Sequence, residues 1–230
     1  MGTAAEISTQ TLSSTVESPR SLLKKQAYDA LKQRIQDATF EPGAFLSERQ
    51  LAMQLGMSKT PVKAALERLE SEGFISVSPQ QGIVVRDLSV HEIADQFEIR
   101  LALESYVLRS VTGRLNASEA SRIRQNLMRQ EQAAREADMT AATELDAEFH
   151  GIFCECLGNQ EIIRVMLHLR EKIHRVVGRV FQRNADRLQS SWKEHSAIAE
   201  AVLAGNADLA VAKIQEHLEY GKQVLLAPRR

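Results

Sequence analysis

The 230-residue sequence has almost no net charge, few cysteines and no long apolar run. A formal net charge of −1 gives no global support for nucleic-acid binding, so such binding must rest on a local patch. No segment approaches the ~20 consecutive apolar residues of a membrane-spanning helix. Residues 1–19 are rich in Ser, Thr and Ala and lack the apolar run of a signal peptide. We therefore expect a cytoplasmic protein without a membrane partner, and a disordered tail over residues 1–19.

The two cysteines, Cys154 and Cys156, lie two positions apart in a segment with helical periodicity. Side chains at that spacing point to different sides of a helix. This pair alone therefore supports neither a disulfide nor a metal site. We interpret both cysteines as ordinary core residues.

The length of the chain fits two domains rather than one. We place them at residues 20–87 and 88–230, because strand signals end near residue 86 and the remainder has helical periodicity. Residues 18–86 carry 10 Lys or Arg against 7 Asp or Glu, whereas residues 89–230 carry 19 against 20. This modest contrast is compatible with a DNA-binding module joined to a neutral sensor domain.

Two short helices followed by a hairpin are predicted in the second half of the first domain. Ser47, with Gln50 three positions later, predicts the start of one helix, and Gly56 ends it. Ser58 predicts the N-cap of the second helix, whose apolar residues recur at helical spacing: Val62, Ala65, Leu66 and Leu69. A hairpin over residues 75–85 forms a small wing. This order is typical of a winged helix-turn-helix, whose second helix enters the major groove of DNA.

The first domain resembles the DNA-binding domain of the GntR superfamily of bacterial transcription regulators. The motifs that carry the resemblance are E48-R-Q-L-A52, S58-K-T-P-V-K-A-A-L66 and Q81-G-I-V-V85. The resemblance implies contacts with bases or phosphates of a double-stranded DNA operator by Arg49, Lys59, Thr60, Lys63 and Gln81. The family more often has Arg at three of these positions, here Lys59, Lys63 and Gln81. The two lysines offer a point charge where Arg offers a planar fork for guanine.

The second domain is predicted to be an all-α bundle of about six helices. Polar N-cap residues mark the first four helix starts: Ser89, Asn116, Asp138 and Asn159. In the fourth helix we expect an apolar stripe through Ile163, Leu167 and Val177. Residues 183–191 are predicted to form a turn region before the last two helices, over residues 192–204 and 206–226. The fold class is therefore mainly α, with an N-terminal winged helix-turn-helix and a C-terminal helical bundle.

Four residues of the second domain are candidate metal ligands. Asp146 and His150 are four positions apart and face the same way from one helix. His195 and His217 lie on the last two predicted helices. One carboxylate and three imidazoles suit zinc, nickel or manganese if these helices converge. Spacing supports only the first pair, and on spacing alone satisfied polar groups or surface histidines are the favoured interpretation.

Residues 89–224 resemble the FCD ligand-binding domain of the fatty-acid-regulator (FadR) subfamily of GntR proteins. The matching motifs are E98-I-R-L-A-L-E104, D146-A-E-F-H150, E194-H-S-A-I198 and H217. The resemblance implies a divalent ion, with zinc favoured over nickel or manganese, held by Asp146, His150, His195 and His217. It also implies a small carboxylate effector that caps the metal with help from Arg100. A salt bridge from Arg100 to a helix-borne glutamate is the alternative.

The leading hypothesis is a metabolite-responsive regulator, not an enzyme, that binds its operator as a homodimer. Its effector would be a small carboxylate or hydroxy acid from central or sugar-acid metabolism, because the metal pocket favours an anion. One alternative is a metalloenzyme with an appended DNA-binding domain, since an open metal site can also activate water. The sequence offers no general base at catalytic spacing for it. The other alternative is a regulator with a purely structural metal.

Overall fold

A computed structural model describes residues 19–78, 82–183 and 186–226 of the chain. The described residues form nine helices and three short strands, divided between two compact units. The first unit contains the described residues up to Arg34 and those of Glu41–Val85, and the second contains Ile35–Phe40 and the described residues from Arg86 onward. Residues 1–18 of the predicted tail lie outside the described residues.

The first unit is a winged helix-turn-helix. Its elements are α1 (Pro19–Gln36), β1 (Phe45–Leu46), α2 (Glu48–Leu55), α3 (Lys59–Ser71), β2 (Ile75–Ser78) and β3 (Gly82–Val85). The strands form an antiparallel sheet in the order β1-β3-β2. Val84 in the central strand pairs with Phe45 on one side and Ser76 on the other. The predicted helices and the two strands of the hairpin are confirmed. Ile75, Ile83 and Val85 give the sheet a buried face, whereas Val77 on β2 is 47% exposed.

The turn between α2 and α3 depends on a glycine. Gly56 follows α2 with a φ of 62°, a left-handed conformation that costs other residues more than glycine. Ser47 and Ser58 occupy the predicted N-cap positions, but neither side chain makes the capping hydrogen bond. The predicted apolar face of α3 is buried throughout: Val62, Ala65, Leu66 and Leu69. The opposite face of α3 is therefore presented to solvent.

The second unit is a bundle of six helices among the described residues, as predicted. They are α4 (Val90–Val111), α5 (Ala117–Glu136), α6 (Met139–Leu157), α7 (Gln160–Arg183), α8 (Asp186–Leu203) and α9 (Ala207–Leu226). The central core takes large side chains from all six helices, including Phe97, Ile123, Phe149, Leu169, Ile198 and Ile214. No described helix is long and apolar enough to cross a membrane.

Reciprocal caps fix where α4 and α5 begin. The Ser89 hydroxyl accepts from the backbone N–H of Glu92, and the Glu92 carboxylate accepts from the backbone N–H of Ser89. Asn116 and Glu119 form the same pair at the start of α5. Each cap satisfies two N–H groups that the helix itself leaves unpaired, so both predicted starts are confirmed.

Two details of the bundle differ from the prediction. Helix α8 begins at Asp186 and not near residue 192. The polar run before Trp192 packs into the bundle, where Arg187, Leu188 and Ser191 are all buried. Tertiary contacts therefore override the local turn signal. In α7 the buried stripe passes through Met166, Leu169 and Ile173, whereas the predicted stripe residue Leu167 is 51% exposed. Leu167 lines a cleft beside α6, and the open space of this cleft leaves its side chain exposed.

Candidate metal centre and nucleic-acid interface

The fold brings Asp146, His150, His195 and His217 to one point in the second unit. Helix α6 supplies the first two residues one turn apart, α8 supplies His195 and α9 supplies His217. One ligand atom from each residue lies within 4.8 Å of those of the other three. Nε2 of His195 is 3.3 Å from Nε2 of His217 and 3.6 Å from Oδ1 of Asp146. These four residues are called the ligand cluster below.

Each histidine of the ligand cluster is held by a hydrogen bond at Nδ1. The pairs are His150 with Glu104 (2.6 Å), His195 with Gln130 (2.8 Å) and His217 with Glu194 (2.6 Å). An ionised carboxylate only accepts, so Nδ1 of His150 and of His217 carries a proton and donates it in a hydrogen bond to the carboxylate. Nε2 of His150 is buried without a hydrogen-bond partner among the described residues. This arrangement is typical of metal-binding histidines, and a divalent ion would fit these donors.

Gln130 gives His195 the same orientation through a longer chain of bonds. Nε2 of Gln130 donates to Oδ1 of Asn126 at 2.6 Å, and Nδ2 of Asn126 donates to the Leu145 carbonyl at 3.2 Å. The amide orientations follow from this network. Oε1 of Gln130 is therefore the acceptor for Nδ1–H of His195, and the His195 lone pair also points into the ligand cluster.

Burial keeps two of the imidazoles uncharged. It lowers the pKa of His195 well below 6.5, and the neighbouring His217 and His150 lower it further. Burial also lowers the pKa of His217, although the hydrogen bond to Glu194 acts in the opposite direction. Neutral imidazoles keep the lone pairs that a metal ion needs, so this part of the cluster is ready to bind near neutral pH.

Two arginines keep the accepting carboxylates ionised. Burial alone would raise the pKa of Glu104, but Arg100 and His150 outweigh it and lower the pKa to about 2. Arg187 forms two hydrogen bonds to the Glu194 carboxylate, at 2.7 and 2.9 Å. Burial would also raise the pKa of Glu194, but its bonds to His217 and Arg187 lower it. These two outer pairs, Arg100 with Glu104 and Arg187 with Glu194, are each neutral as a whole, which limits the cost of burying their charges.

Arg100 forms the salt bridge that the sequence left as the alternative to an effector contact. Its Nε donates to Oε1 of Glu104 at 2.7 Å, and both side chains are buried. Arg100 also lines the cleft next to the ligand cluster. The position of this arginine is therefore compatible with both roles.

A cleft between α6 and α7 adjoins the ligand cluster. It has a cavity volume of about 100 Å³ in a recess that is partly open to solvent, and Asp146 and His150 belong to its wall. Apolar side chains dominate the rest of the wall, among them Cys154, Ile163, Met166, Leu167, Ile173 and Val177. Arg170 and His174 are the polar residues that α7 contributes, and Nδ1 of His174 is buried without a hydrogen-bond partner among the described residues. A small molecule that entered this recess would lie beside Asp146 and His150.

The two cysteines are free and lie outside the ligand cluster. Burial raises the pKa of Cys154 to about 12, and the nearby Glu104 contributes to the rise. Burial also raises the pKa of Cys156, to about 11. Both are therefore protonated thiols near neutral pH, a form that is a poor metal ligand.

Sequence reasoning missed Gln130 and gave no role at the site to Glu104, Glu194 or His174. One signal was available for Gln130. Helix α5 buries a stripe that consists of Ile123, Asn126, Gln130, Ala133 and Ala134. Two amides one turn apart on an otherwise apolar face indicate a buried hydrogen-bond network, since buried polar groups need partners. The partners themselves lie on other helices and leave no trace in the local sequence.

The predicted DNA-reading residues lie on the exposed side of the first unit. Arg49 on α2 is exposed, as are Lys59, Thr60 and Lys63 at the start of α3. Lys63 lies 3.9 Å from Glu67, with both side chains about two-thirds exposed, so this weak pair does not withdraw the charge from solvent. The fifth predicted residue, Gln81 at the wing tip, lies outside the described residues.

An exposed cationic helix start in a winged helix-turn-helix, joined to an all-α unit with a buried Asp/His₃ cluster, defines a DNA-binding transcription regulator. Comparison with family models agrees. Residues 23–85 match the family described as bacterial regulatory proteins, gntR family, and residues 95–220 match the FCD domain. The chain belongs to the gntR family of bacterial regulators that carry an FCD domain.

Relatives of similar length support this assignment. The "Nta operon transcriptional regulator" of Aminobacter aminovorans is 29% identical over 182 residues, which cover 78% of this chain and 85% of that protein. The "HTH-type transcriptional repressor RspR" of Escherichia coli is 26% identical over 201 residues, covering 87% and 88%.

Among solved structures, a putative GntR regulator from Rhodococcus sp. RHA1 aligns with a TM-score of 0.78 and 22% identity. The alignment covers 90% of this chain and 99% of that one. McbR/YncC of E. coli aligns with a TM-score of 0.75 and 22% identity, covering 88% and 96%. At this level of identity the structures establish a shared fold.

Proposed function

We propose that this transcription regulator responds to a small organic acid and carries one divalent metal ion in the ligand cluster. One observation carries the proposal: three buried imidazoles turn Nε2 toward the Asp146 carboxylate while an acceptor holds each Nδ1. Zinc is the first choice of ion, and nickel or manganese would suit the same donors. Residues 20–87 would bind DNA, and residues 88–230 would bind metal and effector and form the homodimer.

Charge favours an anionic effector. The outer pairs, Arg100 with Glu104 and Arg187 with Glu194, are each neutral. A divalent ion beside the Asp146 carboxylate and three neutral imidazoles would keep a net charge of about +1. Four protein ligands leave room for an oxygen ligand in a five- or six-coordinate shell. A carboxylate would satisfy both the charge and the open position.

Arg100 is the candidate for a second contact with the acid. It lines the cleft next to Asp146 and His150. Its hydrogen bonds among the described residues use Nε, toward Glu104. The two terminal nitrogens would be available for the effector, and an arginine fork suits a planar carboxylate.

On DNA, the homodimer would present two identical heads to a short inverted repeat. Lys59 and Lys63 start the recognition helix on an exposed face, next to Thr60 and near Arg49. Gln81 would contact DNA from the wing. Acid binding at the metal would shift the bundle and with it the spacing of the two heads, which changes operator affinity.

Metal content tests the first part of the proposal. We expect the purified full chain to hold about one divalent ion per chain by elemental analysis, and His195→Ala and His217→Ala to lose it. His168→Ala is the matched control, because His168 lies on the exposed side of α7. Equal metal content in all four proteins would remove the ligand assignment.

Operator release tests the second part. A duplex selected from a random library by the metal-loaded protein would serve as the operator, and organic acids would be screened for a change in its affinity. Release by an acid only when metal is present supports an effector role. A metal-dependent protein whose DNA affinity no acid changes would have a structural metal. Turnover of carboxylate esters or amides would instead indicate a metalloenzyme.

A further inference from the structure

The cleft beside the ligand cluster is mostly apolar, although it adjoins a charged site. Helix α7 contributes Met166, Leu167 and Ile173 to its wall. Most of the polar residues of the wall have partners within the protein. Glu148 pairs with Arg129, and Glu155 and Thr143 are likewise bonded, to Arg122 and to the Met139 carbonyl. A bound molecule would therefore meet charge at the cluster and hydrocarbon over most of the remaining surface.

A glycine keeps part of this cleft open. Gly151 follows His150 in the middle of α6 and lines the cleft. Glycine at such a position costs a helix roughly fivefold in its folding equilibrium relative to alanine. Packing does not require it, because a Cβ added at Gly151 would meet no heavy atom within 4 Å. The missing side chain therefore leaves space in the cleft that no described residue fills within 4 Å.

We propose that the effector is a singly charged organic acid with an apolar body. Its carboxylate would lie at the ligand cluster, and its hydrocarbon part would lie along α7 beside Gly151. This inference rests on the proposed function, because the carboxylate needs the metal. It disfavours polyhydroxylated sugar acids, because among the described residues of α7 only Arg170 and His174 offer polar groups to the cleft. It also disfavours a second charge at the far end, and adipate tests whether Arg170 accepts one.

Four acids of equal chain length separate these classes. Hexanoate and 2-hydroxyhexanoate have apolar bodies, gluconate has a hydroxylated body and the same 2-hydroxy acid head, and adipate carries a second carboxylate. Each methylene buried contributes about fourfold in affinity, and each buried hydroxyl without a partner costs roughly tenfold. By calorimetry on the metal-loaded full chain, 2-hydroxyhexanoate should bind at least ~10-fold more tightly than gluconate. Hexanoate should exceed adipate by a similar factor.

Filling the cleft at Gly151 is the second arm of the experiment. Gly151→Leu places a side chain in the open space and should weaken binding of 2-hydroxyhexanoate by ~10-fold or more. Gly151→Ala is the matched control, because it makes the same backbone change with little volume and should change binding less than ~3-fold. The open surroundings of this position lead us to expect that both variants fold and keep the metal content of the natural sequence.

The results distinguish the two proposals. Gluconate binding as tightly as 2-hydroxyhexanoate, or unchanged affinity in Gly151→Leu, overturns the apolar-body assignment and leaves the metal and regulator assignments standing. Failure of all four acids to bind the metal-loaded protein also overturns it. A chain that contains no metal contradicts the proposed function and, because the carboxylate needs the metal, overturns the apolar-body assignment with it.

Discussion

Glu194 accepts a hydrogen bond of 2.6 Å from Nδ1 of His217, on the neighbouring helix, although the residue that follows Glu194 in the chain is itself a cluster histidine. Two consecutive residues of α8 therefore serve the same site in different ways. His195 turns a lone pair to the centre, and Glu194 orients the histidine of α9.

Replacement of Glu194 by glutamine should weaken metal binding. Glu194→Gln removes the negative charge that His217 and Arg187 share, and we expect metal affinity to fall ~10- to 100-fold. A competition titration with a chelator of known affinity measures the change. Glu200→Gln is the control, since Glu200 is an exposed glutamate of the same helix. Equal affinity in the two variants would show that Glu194 does not act through His217.

Gln130 should respond differently to two substitutions. Gln130→Leu leaves Nδ1–H of His195 buried without an acceptor, so we expect ~10- to 100-fold weaker metal binding and a loss of about 1–3 kcal/mol in unfolding free energy. Gln130→Glu keeps an acceptor for His195 and should retain most of the metal affinity. Metal titration together with urea unfolding of the metal-free protein separates the two effects. Weak metal binding in Gln130→Glu as well would contradict a role through His195.

The first unit contains a pH-dependent contact. Burial raises the pKa of Glu72, but hydrogen bonds from Tyr28 and Arg68 outweigh it and, with Lys32 3.6 Å away, hold the pKa below 4.5. A pKa that folding lowers contributes stability above the unfolded value, and that stability is lost as pH falls through the folded value. Near neutral pH, the α1 amides of the Glu72→Gln variant should therefore exchange hydrogen faster than those of the natural sequence.

The difference in α1 amide exchange rate between Glu72→Gln and the natural sequence should become smaller as pH falls below 4.5, because the natural glutamate then loses its charge too. Glu41→Gln, at an exposed position of the same unit, is the control and should match the natural sequence throughout. A difference that stays constant with pH would show that the charge of Glu72 contributes nothing.

DNA binding should depend on single cationic residues. Arg49→Ala and Lys63→Ala should each raise the dissociation constant for the selected operator by roughly 5- to 150-fold, depending on whether a phosphate or a base contact is lost. Each lost phosphate contact should also reduce the slope of log affinity against log salt by about one. Lys213→Ala on α9 removes the same charge from the other unit and should leave both quantities unchanged. Unchanged affinity in Arg49→Ala and Lys63→Ala would contradict the assignment of these two residues as DNA contacts.

The elements that were predicted correctly are those with local causes. Ser89 with Glu92 predicted the start of α4, because both capping bonds form within one turn. The spacing of Asp146 and His150 predicted a shared face for the same reason. The fold then brought His195 and His217 to that face, which only the family resemblance had indicated. Spacing along a chain carries no information about which helices pack together.

The misjudged elements depended on distant contacts. Leu167 fits an apolar helical stripe, but the cleft beside α6 leaves it half exposed. The polar run before Trp192 resembles a turn until the bundle supplies partners, as Glu194 does for Arg187. Gln130 is the clearest case, because its partner His195 is 65 residues away.

The hydrogen bonds that start at His195 form a chain that connects three helices. They run from His195 on α8 to Gln130 and Asn126 on α5, and end at the Leu145 carbonyl, one residue before Asp146 on α6. Two residues of the ligand cluster on different helices, His195 and Asp146, are thus tied to α5. A displacement of α5 would move both residues together. The distances within the ligand cluster would therefore change with the position of α5, although α5 contributes no residue to the cluster.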